Sequence, residues 1–136
     1  MPAIRAIFLA SIFAAAAGAA EFLVIANPSL RGAAISSNDL KQIYLGNKTT
    51  LRDRHVEPVT TPSGVAHQRF ASACLGKTPA GLRTYFRNLV FTGKGSMPRS
   101  FATTAEMVAY VAATPGAIGY VSGASDLKGV VVLAIH

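Results

Sequence analysis

The side chains able to do chemistry are few, and their spacing excludes the common catalytic constellations. His55, His67 and His136 lie too far apart for a metal-ligand motif, and Cys74 is the one cysteine, without a mate for a zinc cluster or a disulfide. Ser63 stands beside Gly64 but lacks the G-x-S-x-G frame of a nucleophile elbow, and the 6 acidic residues show no pairing by spacing. No metal site or cofactor is therefore implied, and the chain is not expected to be an enzyme. Gly93-Lys94-Gly95-Ser96 has the residue types of a phosphate-binding loop without its G-x-x-x-x-G-K-[ST] spacing, and it follows a predicted helix rather than a strand. His67, four residues after Ser63, reads as an exposed polar residue. Cys74, on one helical face with Ala66 and Phe70, reads as a small buried hydrophobe.

Ser63-Gly64 is the position with a positive chemical reading. A helix start leaves backbone N–H groups unpaired and carries partial positive charge, so a Ser-Gly pair there can bring backbone and hydroxyl donors close to an oxyanion. An ordinary N-cap by Ser63 accounts for the same residues. On these two residues alone both readings stay open. Thr60 and Thr61 would be further donors, and Lys94 and Arg99 would add long-range attraction or serve only as solvated loop charges.

The elements that must position this turn follow from the apolar patterning. The chain has 136 residues, 51% hydrophobic and 14% charged, which suits one domain with its own core and excludes wholesale disorder. Thirteen Lys and Arg against 6 Asp and Glu give a net charge of +7, which suggests an anionic partner without saying which. Arg5, the apolar run Ile7 to Ala17 and the small residues Ala17-Gly18-Ala19-Ala20 read as a cleaved secretory signal over residues 1–20. The run is shorter than the roughly 20 residues of a membrane span. Residues 21–136 are then one domain with a periplasmic or secreted destination, which argues against a nucleic-acid partner.

Phe22 to Ala26 is a continuous apolar run ended by Asn27-Pro28, the pattern of a central strand buried on both faces. Ser36 or Ser37 can cap a helix through Leu40, Ile43 and Tyr44 to Gly46. Val56 to Val59 reads as a strand, Thr60 to Gly64 as a loop, and the following residues as a helix to Leu75 with Gly76 as its stop. Pro79 opens the best amphipathic segment, with Leu82, Tyr85, Phe86 and Leu89 on one face and Arg83 and Arg87 on the other. Thr92 to Arg99 is a basic loop. Thr103 and Glu106 make a capping box for a helix carrying Met107, Val108 and Val111. Ala117 to Ser122 and Val130 to Ile135 close the chain as strands. Alternation of strands and helices predicts an α/β fold, one mixed β-sheet flanked by helices.

Ile43-Tyr44-Leu45-Gly46-Asn47-Lys48, Val56-x-Pro58-Val59, Ser63-Gly64 with Phe70, and Thr114-Pro115-Gly116-Ala117-Ile118-Gly119-Tyr120-Val121 follow one another along the chain. In that order they resemble the phosphate-binding proteins of ABC-type phosphate transporters, within the type II periplasmic-binding-protein superfamily. The resemblance runs from about Leu23 to Ser122, and the Pro-Gly-Ala-Ile-Gly-Tyr run is its most specific part. It implies one lobe of a two-lobed protein that closes around phosphate, the lobe whose Ser-Gly-Thr turn opens a helix toward the anion. Ser63 and Gly64 match the first two positions of that turn; Val65 stands at the third in place of Thr. Val59 and Thr61 stand where the family tends to carry an Arg and an Asp, which removes a charge-assisted contact and a proton acceptor.

A single lobe offers an open site in which each hydrogen bond is worth about 0.5–1.5 kcal/mol net, so roughly four of them reach only about millimolar affinity. Tight binding would take a second surface from a homodimer or a partner protein. The expected function is an exported solute-binding module for phosphate or a related oxyanion, held by Ser63, Gly64, Val65, Thr61 and Thr60, with an ABC permease or a membrane sensor as partner. The alternative is a sensory or accessory interaction protein that keeps the lobe without solute capture and docks through the Arg83/Arg87 face or the 92–99 loop.

Overall fold

The computed structural model describes residues 22–123 and 126–136; the expected signal segment lies outside them. The apolar run becomes β1 (Leu23–Ala26), which pairs antiparallel with β6 (Ala117–Val121) on one side and β7 (Val131–Val132) on the other. β4 (Glu57–Thr60) and β5 (Arg99–Ser100) extend the sheet in parallel, giving the order β5-β4-β6-β1-β7. The mixed α/β sheet is thus as expected, but its centre is β6 rather than β1. β6 alone takes an antiparallel neighbour on one edge and a parallel one on the other, and all five of its residues are buried.

Two short elements depart from the pattern. The basic stretch before β4 folds into a hairpin of β2 (Thr50–Leu51) and β3 (Arg54–His55), turned by Arg52 and Asp53 at φ 53° and 66°. The last strand is shorter than expected because the chain changes partner: Leu133 N–H still donates to Val24 O, but Ile135 then bridges Ile35.

Alternation along the strands divides the core between the sheet's two faces. Val24, Ala26, Ile118 and Tyr120 pack with α1 (Ser37–Tyr44), α2 (Val65–Phe70) and α3 (Pro79–Phe91). Ile25, Ala117, Val121 and Val59 pack with Met107, Val108 and Val111 of α4 (Thr104–Ala113). Gly119 of β6 faces α4 so closely that a Cβ there would meet Met107 Sδ at 2.9 Å. α2 runs on into a π-helical turn, Ala71–Leu75, ended by Gly76 in the left-handed region, so the helical stretch reaches Leu75 as its apolar spacing predicts.

Two of the caps expected from the sequence, at Ser36 and at Thr103 with Glu106, are formed, and Thr78 caps α3 as well. Ser36 accepts from Asp39 N–H, Thr78 from Gly81 N–H, and Thr103 and Glu106 make the reciprocal box of α4. Asn27 closes the other end of α4: its Nδ2 donates to Val111 O at 2.9 Å and Ala112 O at 3.0 Å, and its Oδ1 accepts from Ser29 N–H. The Tyr44 hydroxyl, fully buried, lies 2.8 Å from Val59 O and 3.1 Å from Ile118 O, joining α1 to β4 and β6. That contact holds the end of β4 from which the candidate site departs.

Candidate functional site

β4 ends at Thr60, and the chain turns through Thr61, Pro62 and Ser63 into α2. The N-cap is Gly64, at φ 112° and with no side-chain hydrogen bond to the helix start. The ordinary-cap reading of Ser63 therefore fails: Ser63 lies one residue too early to close the first turn, and its side chain is exposed. The N–H groups of the α2 start are left without a side-chain acceptor. Val65, the first helical residue, is exposed and offers its backbone rather than its side chain.

Behind this turn lies a polar network centred on the Tyr120 hydroxyl. Thr60 Oγ1 approaches it at 2.5 Å, His67 Nδ1 at 2.6 Å and Thr61 N–H at 3.4 Å. Thr61 N–H donates to the Tyr120 oxygen, and two proton arrangements satisfy the rest: Tyr120 donates to His67 Nδ1 and accepts from Thr60, or Nδ1–H donates to Tyr120, Tyr120 to Thr60, and Thr60 to Thr61 O at 3.4 Å. Tyr120 is itself fixed by stacking on Phe70, with ring centroids 4.1 Å apart and planes 7° from parallel. Burial raises the Tyr120 hydroxyl above its ordinary pKa, which keeps it a proton donor.

His67 is thus buried, with 5% of its surface exposed, and not the exposed residue its polarity suggests. His67, Phe70, Ala71 and Leu75 fall on one helical face, and all four are buried. Reading Ala66, Phe70 and Cys74 as the inner face rotates the helix by about one position; Cys74 is half-buried at the margin of the core. Burial first, and the nearby Arg83 second, hold His67 below its ordinary pKa, so the neutral ring is the resting form. No wholly buried side-chain nitrogen or oxygen lacks a partner among the described residues, so Nε2 reaches the surface at the openings His67 lines.

Those openings adjoin each other. One, of about 130 Å³, lies between the end of β4 and α3, with Thr60, Thr61, His67 and Arg83 at its polar end and Leu82, Phe86, Met97 and Pro98 along its side. The other is bounded by Ser63, Gly64, Val65 and His67, with Arg83 again on its wall. Arg83 is the cation that sequence reasoning left out of the site. Its position was legible as α3 surface, but nothing in its spacing showed that this surface faces the Ser63-Gly64 turn.

The predicted donors divide. Ser63, Gly64, Val65 and Thr61 stay together at the openings, whereas the Thr60 hydroxyl is committed to Tyr120. Arg99 lies on β5, ion-paired to Glu57 at 3.4 Å and placed over the Tyr110 ring at 5.2 Å. Glu57 raises its pKa further. Lys94 borders neither opening and lies on the exposed loop beyond α3. Among the described residues no three His, Cys, Asp or Glu converge as metal ligands, and no helix is long and apolar enough to cross a membrane.

No family model and no curated relative matches the sequence. Solved structures do match its fold. An ABC-type phosphate transport receptor from Vibrio cholerae is similar at TM-score 0.60 and 16% identity, over 85% of this chain and 46% of its own. PstS from Borrelia burgdorferi is similar at TM-score 0.62 and 16% identity, over 85% of this chain and 47% of its own. The chain has the fold of one lobe of a phosphate receptor. A third structure, from Clostridium perfringens, is a candidate substrate-binding protein of a phosphate ABC transporter with bound phosphate; it matches at TM-score 0.62 and 16% identity, over 85% of this chain and 44% of its own. This chain spans less than half the length of each of them.

Proposed function

We propose that the chain is an exported solute-binding module that holds phosphate or a related small oxyanion where the Ser63-Gly64 turn meets Arg83 and His67. The single observation that carries this reading is the convergence there of a side-chain-uncapped helix start, a guanidinium and the Nε2 edge of a buried neutral histidine. The N–H groups of Gly64 and Val65, the hydroxyls of Ser63 and Thr61, and Arg83 are the donors, and Thr60 acts through Tyr120. Arg83 supplies from α3 the positive charge that Val59 does not supply from β4. Lys94 contributes only attraction at a distance. The leader-like residues 1–20 support a periplasmic or secreted location, and the lobe fold supports a role beside an ABC permease or a membrane sensor. An open site of this kind binds weakly, so a homodimer or partner would complete it for tight capture. No step of bond chemistry is assigned to it.

Calorimetric titration of the purified protein with inorganic phosphate tests the reading. Binding near millimolar is expected, weakened about tenfold by Arg83→Ala through loss of a charge-assisted contact. A folded protein that gives no heat at about 10 mM phosphate would remove it. A second reading, an accessory interaction protein without solute capture, is favoured by one surface: Phe91 is 90% exposed beside Val90 and Met97, with Arg83 and Arg87 at its border. That reading would then stand.

A further inference from the structure

The positive charge of the chain is gathered in one segment. Residues 58–105 carry six Lys and Arg and no Asp or Glu, whereas the rest of residues 21–136 carries six of each sign. The same segment supplies Val65, Val90, Phe91 and Met97, so that of the large hydrophobic side chains exposed among the described residues only Val132 lies elsewhere. α3 brings the two properties together. Arg83, Arg87, Val90 and Phe91 recur at helical spacing on its exposed side, and with Met97 of the following loop they line one shallow groove. The loop is folded back on the helix end: Gly93 N–H donates to Val90 O and Lys94 N–H to Leu89 O, which fixes Lys94 beside Phe91. The groove continues through Arg83 and Met97 into the opening between β4 and α3, and no Asp or Glu lines either one. Among the described residues the carboxylates pair with Lys48 and Arg99, and none engages Arg83, Arg87 or Lys94.

We propose that this end of α3 docks on an anionic phospholipid surface, with Phe91, Val90 and Met97 entering the boundary between headgroups and acyl chains and Arg83, Arg87 and Lys94 meeting lipid phosphates. The order of groups along the helix carries the choice of partner. α3 ends at Phe91, which is 90% exposed, and Arg87 and Arg83 stand one and two turns behind it. At 1.5 Å per residue they lie about 6 and 12 Å back along the axis. Interfacial docking buries apolar groups about 5–10 Å into the boundary, so the guanidinium groups fall at the level of the phosphates when the tip is immersed. A second copy of the chain would set these cations against the same cations with no carboxylate between them. An acidic protein would need a fitted socket for Phe91 inside a ring of carboxylates, whereas a lipid surface has charge outermost and hydrocarbon beneath it. The proposal shares Arg83 with the oxyanion reading and otherwise stands apart from it.

The chain has no tryptophan, so Phe91→Trp puts a reporter at the docking tip itself. The full purified protein carrying it is titrated with vesicles of about 30% phosphatidylglycerol in phosphatidylcholine, and with phosphatidylcholine alone. On the anionic vesicles the indole emission is expected to shift to the blue and to be quenched by brominated acyl chains, and the affinity should be about tenfold or more above that for the neutral ones. Salt at about 1 M, where the Debye length falls to about 3 Å, should remove most of that difference. Arg87→Ala should weaken vesicle binding about fivefold and Phe91→Ser about tenfold, read by sedimentation with the anionic vesicles. Both positions are exposed, so both variants should keep the wild-type urea midpoint. An emission that does not move, or that moves equally on neutral vesicles, overturns the proposal. Sedimentation that neither variant changes places the contact elsewhere in the chain, residues 1–20 included, and overturns it as well. An emission unmoved by vesicles but shifted by polyglutamate assigns the surface to an acidic protein instead. Calorimetry with inorganic phosphate reads the oxyanion site separately, so the failure of either reading does not entail the failure of the other.

Discussion

Replacing Tyr120 with Phe removes one oxygen and keeps the ring, including its stack on Phe70. The lost atom is the one on which Thr60 Oγ1 and His67 Nδ1 converge at 2.5 and 2.6 Å, with Thr61 N–H at 3.4 Å. Two short hydrogen bonds are worth about 1–3 kcal/mol net, and His67 Nδ1 is left buried without a partner, which places the cost toward the upper end, about 2–3 kcal/mol. With a urea m-value of about 2 kcal/mol/M, the unfolding midpoint should fall by about 1–1.5 M at unchanged m. Tyr44→Phe is the matched control. It removes an equally buried hydroxyl from Val59 O and Ile118 O, so it should lower the midpoint while leaving the His67 ring resonances in place. Tyr120→Phe should move those resonances. A midpoint shift under about 0.3 M, or an unmoved His67 signal, would show that the hydroxyl does not organise the site.

Acidification should destabilise the protein through His67. Its folded pKa is depressed, so below about 6.5 the unfolded chain binds more protons than the folded one; stability is complete above that value and is lost as pH falls through it toward the folded pKa. Urea midpoints across that range read the effect, which should be absent in a folded His67→Gln variant. Arg83→Ala should raise the His67 pKa in an NMR titration, since a like charge is removed; an unchanged value would place the guanidinium out of reach. Asn27→Ala should cost about 2–3 kcal/mol, because Val111 O and Ala112 O lose their donor and Ser29 N–H its acceptor, measured as a lowered midpoint in urea. Gly116→Ala should be more severe. Gly116 sits at φ 82° with His55 O in the space a Cβ would occupy, so soluble, folded protein at wild-type yield would contradict the placement of the loop before β6.

Local sequence carried most of the fold. Pro79 and Thr103 with Glu106 announced α3 and α4 because start signals and apolar spacing agree there, and Phe22 to Ala26 announced β1 because an unbroken apolar run needs cover on both faces. β2, β3 and β5 were illegible because two-residue strands have no period, and the hairpin turn uses Arg52 and Asp53 where Asn-Gly or Gly would have signalled it. The Ser63-Gly64 turn could be read as a helix start, yet not which residue caps it; that depended on the backbone angle at Gly64. His67 could have been found from its spacing with Phe70, Ala71 and Leu75. Its partner Tyr120 and its neighbour Arg83 could not, since they come from elements 53 residues on and from the next helix, brought together only by sheet order.

The pairing of β1 has a consequence for how the chain is made. Leu23 lies opposite Val121, and Ile25 opposite Val132, so β1 has no sheet partner until the chain has been made as far as β6. At about 5–20 residues per second, that delay is on the order of 5–20 s of synthesis. Contacts so distant in sequence also close slowly once both strands are present. During that interval the apolar run of β1 lacks the sheet partners it has in the folded chain. The half of the sheet built on β1 therefore closes last, after all of α1 to α4 has been made.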